Sequence, residues 1–95
     1  MKFYLLDVDT PVETDMVAWA NQMASGGNLL WLRRLRKGKK VVTVSTVFLG
    51  FPHPELFETA IFDLTPDGPE THRAHTYAEA ERMHRECVAK VVELL

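Results

Sequence analysis

Apolar and polar positions are most regularly ordered between Val41 and Phe62, VVTVSTVFLGFPHPELFETAIF. Val42, Val44, Thr46 and Phe48 fall on one side of an alternating run, with Val41, Thr43, Ser45, Val47 and Leu49 on the other. A period of two in β-branched and aromatic residues predicts a strand whose first set faces a core. Gly50-Phe51-Pro52-His53-Pro54 interrupts it, because neither proline can donate to a ladder. Leu56 to Leu64 resumes the alternation, and Thr65-Pro66-Asp67-Gly68-Pro69 is a turn. A short edge strand over Thr71 to His75 is expected after it.

Upstream, Phe3 to Val8 is an apolar, aromatic run ending in acids and predicts a first strand. Thr10-Pro11-Val12-Glu13 then has the form of a helix start, with a capping threonine, proline at the first helical position and a glutamate reaching back. Val12, Met16, Trp19, Ala20 and Met23 recur at helical spacing, and Gly26-Gly27 is a stop. A helix is therefore expected at about 11–25. Asn28 to Arg36, NLLWLRRLR, fits either a short amphipathic helix or a strand. The tight-turn signal Lys37-Gly38-Lys39 and the β-forming run behind it favour a hairpin over about 29–49.

At the end of the chain, Thr76 with Glu79 repeats the capping-box pattern. Ala80, His84, Cys87, Val88, Val91 and Leu95 follow as an apolar helical stripe, with charges mostly outside it. The expected fold is a single α+β domain over 1–95 in the order β-α-β-β-β-α. It has an antiparallel sheet of about four strands and two helices on one face.

Composition narrows the function classes. Ninety-five residues suit one domain, able to bury roughly 60–65% of its unfolded surface. With 46% hydrophobic and 25% charged residues, the chain is expected to fold, and no apolar run reaches transmembrane length. The MKFYLLDVD start has too few apolar residues for a signal peptide, and the lone Cys87 excludes an internal disulfide. Both features point to the cytoplasm. The net charge of −2 gives no bulk attraction to nucleic acid or to an anionic membrane. That charge is segregated, however. Arg33, Arg34, Arg36, Lys37, Lys39 and Lys40 are six of the 11 basic residues, and the other five stand against 13 acids, a balance of −8.

Candidate chemistry is thin. Asp7-Val8-Asp9-Thr10 has the look of the aspartate pair of haloacid dehalogenase-type phosphatases, but one residue is missing before the threonine and the chain is far too short. A strand end and a cap account for the same residues. His72-x-x-His75 and His84-x-x-Cys87 have spacings usable for zinc, and His84 is placed to serve as a base for a Cys87 thiolate. His84 and Cys87 lie in the apolar stripe, where core packing is the simpler reading. No catalytic residue, metal or cofactor is assigned.

Two surface features remain as binding candidates. Arg33, Arg34, Arg36, Lys37, Lys39 and Lys40, with Trp31 as a stacking face, can contact phosphates or an acidic protein, or simply guard a sheet edge. Phe51, His53 and Glu55 make a stiff recognition tip on the proline-bracketed turn. The outward Thr43, Ser45 and Val47 offer a surface on which a second copy of the chain can pair.

Val44 to Phe62, with VSTVFLG, a histidine and LFETAIF, resembles the signature of small uncharacterised bacteriophage and prophage proteins, chiefly of actinobacterial hosts. Tyr77 to His84 and the opening MKFYLLD are similar to further segments of that family. Phe51-Pro52-His53-Pro54 stands where the family has an aspartate-histidine and a longer glycine-rich loop, and Ala60 where methionine is usual. The resemblance carries no activity. It implies an intracellular accessory protein that acts on a host or defence component, most simply by binding a protein partner. Nucleic-acid binding through the basic hairpin is the alternative, and a small metal-binding or catalytic protein around His53 or His84 and Cys87 is the weaker one.

Overall fold

The computed structural model describes residues 1–26 and 28–95. Its elements are β1 (Phe3–Asp7), β2 (Thr10–Thr14), α1 (Met16–Ala24), β3 (Leu29–Lys37), β4 (Lys40–Phe48), β5 (Phe57–Phe62), β6 (Glu70–Ala74) and α2 (Tyr77–Leu94). The fold is α+β: a two-stranded antiparallel sheet, β1-β2, and a four-stranded one in the order β3-β4-β5-β6.

The four-stranded sheet follows the alternation in its sequence. Val42, Val44, Thr46 and Phe48 of β4 are fully buried, as are Phe57, Thr59 and Ile61 of β5. Cross-strand pairing places Val44 opposite Ile61, Thr46 opposite Thr59 and Phe48 opposite Phe57, so one face collects the core. Helix α2 lies on that face. Thr76 caps it, its hydroxyl accepting from the Glu79 N–H at 3.2 Å, and Ala80, His84, Cys87 and Val91 are its buried residues. Tyr4 and Leu6 from β1 and Met23 from α1 extend the same core around Phe48, Leu56, Phe57 and Ala74.

The start of the first helix differs from expectation. Thr10–Thr14 is a strand, paired with β1 so that Pro11 lies opposite Leu6, and α1 begins only at Met16. Asp15 is the cap, its carboxylate accepting from the Ala18 N–H at 2.8 Å. A helix begun at Pro11 would leave β1 without a hydrogen-bonding neighbour along this edge, and pairing with 10–14 supplies one. Proline is tolerated because β2 is itself an edge. Val12 consequently leaves the predicted helical stripe, and Met16 and Val17 are exposed, while Trp19 and Met23 remain half-buried. Gly26, at φ +75°, follows the helix as expected; the Gly27 half of that stop lies outside the described residues.

The N-terminal unit docks through the turn after β4. The Tyr4 N–H donates to the Gly50 carbonyl at 2.8 Å, and Trp19 Nε1–H donates to the Leu49 carbonyl at 2.8 Å. Phe3, Trp19 and Phe51 form a three-ring cluster with centroids 4.6 to 5.3 Å apart. At Gly50 (φ +75°) a Cβ would stand 2.6 Å from the Trp19 ring and from the Tyr4 carbonyl, so the joint closes only around glycine.

Candidate functional site

Cross-strand register decides where the basic run points. Trp31, Arg33, Leu35 and Lys37 share the core side of the sheet with Thr46, Val44, Val42 and Lys40, their partners across β3-β4. Arg34 and Arg36 share the outer side with Thr43 and Val41, and Lys39 stands in the turn between the strands. The six cations thus do not form one patch. Lys37 Nζ donates to the Leu95 carbonyl, and Lys40 Nζ to the Leu64 carbonyl at 2.9 Å. These two lysines meet the C-terminal end of α2 and the loop beside it, where cations complement the helix dipole. They also line a 400 Å³ hollow with Leu64, Leu94 and Leu95.

Trp31 is half-buried, with its ring 5.2 Å from Tyr77 and 5.8 Å from His84, so it closes the core edge and leaves only part of its surface open. Phe51 is a member of the joint with Phe3 and Trp19. His53 is exposed but stacks on Tyr4 at 5.5 Å, and Glu55 is exposed beside it. The turn that looked like a recognition tip is thus largely occupied in seating β1 and α1.

The outer face of the four-stranded sheet is different. Helix α2 takes the opposite face and α1 packs on β1. Arg34, Thr43 and Phe62 stand in one row across three strands, and Leu32, Ser45, Ala60 and Thr71 in the next across four. Leu32 and Phe62 are 44% and 41% exposed. Glu58 and Arg73 pair at 3.1 Å near one end. Arg34 and Arg36 line the open β3 edge and form no ion pair among the described residues. Comparison with family models, with curated proteins and with solved structures finds no match to this chain. What the protein can do therefore rests on this geometry.

The histidines and the cysteine are held in local contacts. His72 Nε2 lies 2.6 Å from Glu70, which also accepts from Lys90 Nζ at 2.7 Å, tying the β6 edge to α2. The Lys90 and His72 contacts hold the Glu70 carboxyl below its usual range. Cys87 is a buried free thiol, and burial pushes its pKa up, which disfavours the nucleophilic thiolate. No group of three or more His, Cys, Asp or Glu side chains arranged to hold a metal ion occurs among the described residues. No helix among the described residues is long and apolar enough to cross a membrane.

His84 is the feature that sequence reasoning placed in the core without seeing its partners. Its Nδ1 lies 2.8 Å from Thr46 Oγ1, and Thr46 Oγ1 lies 2.5 Å from Thr59 Oγ1. Three buried polar side chains from β4, β5 and α2 are linked in one chain. Burial, and then the nearby Arg33 charge, lower the imidazole pKa, so the ring is neutral near pH 7. The signal was present as threonines at inward positions 46 and 59, where an apolar residue would be the default.

Proposed function

We propose that this protein is a small non-enzymatic binding domain that engages a protein partner through the outer face of its four-stranded sheet. The observation that carries this reading is the uncovered face itself. It mixes Leu32, Val41, Val47 and Phe62 with Thr43 and Ser45, and its open edge bears the unpaired Arg34 and Arg36. Interfaces favour an apolar and aromatic centre with arginine nearby. The complementary partner is a protein surface with an apolar patch and an acidic rim meeting the β3 edge. With the resemblance to phage proteins, that partner is a host or defence protein in the host cytoplasm.

A second reading, single-stranded nucleic acid on the same face, is favoured by Phe62 standing in one row with Arg34. Its weakness is the division of the basic run, since Lys37 and Lys40 are turned to the end of α2. Affinity capture from an actinobacterial host lysate separates the readings. The wild type is expected to retain a discrete protein, and a Val47→Asp/Phe62→Ser variant with unchanged circular dichroism to lose it. Retention by that variant, or binding of oligonucleotides that weakens steeply with salt, contradicts the protein-binding reading.

A further inference from the structure

The side of the sheet away from that face carries a second surface. Where α2 crosses the β3 edge, an open groove of about 490 Å³ is walled by Leu30, Trp31 and Val88, with Arg33, His84 and Arg85 as its polar groups. Its size suits a small molecule. The polarity of its floor follows from the buried threonine chain. Each hydroxyl has one proton to donate. If His84 Nδ1 carried the imidazole proton and donated to Thr46, Thr46 would donate to Thr59, and the buried Thr59 hydroxyl would be left with no acceptor among the described residues. In the reverse order Thr59 donates to Thr46 and Thr46 donates to His84 Nδ1. Both hydroxyl protons are then used, and buried donors are almost always paired. The neutral ring therefore carries its proton on Nε2, which makes no hydrogen bond to the described residues.

We infer that this groove is a binding site for a small organic anion, an oxyanion carried on a flat apolar ring. The His84 Nε2–H and the Arg33 guanidinium take the oxyanion, and the ring lies along Trp31 and Val88. Arg33 forms no ion pair among the described residues, so it is free to accept this role. Arg85 adds positive charge at the rim, although one of its nitrogens pairs with Glu81 at 3.1 Å. Selectivity against neutral rings comes from the paired donors, because a neutral ligand leaves the arginine unanswered. The Thr59–Thr46 chain acts as a positioning device, fixing the tautomer that makes the histidine a donor.

The test is a nuclear magnetic resonance titration of the full chain with 2-naphthoate, 2-naphthyl phosphate and the neutral 2-naphthalenemethanol. Both anions are expected to shift the Trp31 indole and the His84 ring signals and to leave the Trp19 indole unmoved. If only one anion does so, the oxyanion class is read from which one. Arg33→Gln, at an exposed position, is expected to weaken anion binding by about tenfold or more, the usual effect of a lost charge-assisted hydrogen bond. Long-range nitrogen–proton spectra of the free protein are expected to show the proton on Nε2. The proposal is overturned if His84 carries it on Nδ1. It is equally overturned if the alcohol binds as well as the anions, or if neither anion perturbs Trp31 at about 10 mM, enough to fill a site of ~1 mM affinity.

Discussion

The N-terminal unit is the richer in apolar residues, 14 of residues 1–26 against 30 of the 67 residues 29–95 that hold the four-stranded sheet and α2, yet it buries them far less. Among the described residues every fully buried side chain lies between Val42 and Val91, and none of residues 1–26 is buried. The first unit is held by two backbone-accepted hydrogen bonds and three aromatic rings around Gly50. The second is held by two interlocking clusters, Val42-Val44-Ile61-Cys87-Val91 and Phe48-Leu56-Phe57-Ala74-Ala80. One region is a core and the other is an attachment to it.

The largest expected effect tests that contrast directly. Phe57→Ala should cost about 3–5 kcal/mol, because a fully buried ring leaves a cavity between β4, β5 and Tyr77. Met23→Ala, at a half-buried position on α1, should cost about 1–2 kcal/mol, because part of its side chain is already in water. Urea titrations of the two variants measure the difference, and equal costs would erase the distinction. Gly50→Ala comes next, at about 1–3 kcal/mol, since its methyl meets the Trp19 ring and the backbone conformation is left-handed. Its effect should be seen first in Trp19 and Tyr4, with the β4-β5 pairing retained.

Thr46→Val should cost about 1–3 kcal/mol by leaving His84 Nδ1 buried without its donor. Changing Thr46 and His84 together should cost less than the sum of the single changes. The pH dependence is smaller and has a definite sign. The folded-state pKa of His84 is lowered by burial and by Arg33, with Arg85 the other charge lining the groove. Both folded and unfolded chains hold a neutral ring above the usual value of 6.5, so stability is flat there. As pH falls through 6.5 the unfolded chain takes up a proton that the folded one resists, and stability declines until the folded value is passed. Thermal midpoints measured across that window should fall for the wild type and not for His84→Gln. The Glu70 contribution belongs to a lower window, lost as its carboxylate protonates below 4.5.

The sequence was most legible where burial is deepest. Alternation over Val42–Phe48 and Phe57–Ile61, the hairpin turn at Lys37-Gly38-Lys39 and the Thr76 cap all reappear in the structure. At Thr10–Thr14 the local helix-start signal lost to strand pairing. Capping contributes about 1 kcal/mol and is easily outweighed by a ladder of backbone hydrogen bonds. The division of the basic run between two faces was hidden because strand register, not residue spacing alone, sends Arg33 and Lys37 inward and Arg34 and Arg36 outward. The groove was hidden for the same reason. Trp31, Arg33 and His84 are brought together by the crossing of α2 over β3, 53 positions apart at the extremes.

Native-state hydrogen exchange, read residue by residue, tests the division between core and attachment most directly. The account predicts the slowest amides in β4, β5 and the Ala80–Val91 segment of α2, with β1, β2 and α1 opening at lower free energy. It also predicts that Gly50→Ala accelerates exchange in β1 and α1 alone. Uniform protection across both regions, or acceleration spread equally through β4 and β5 in that variant, would contradict it.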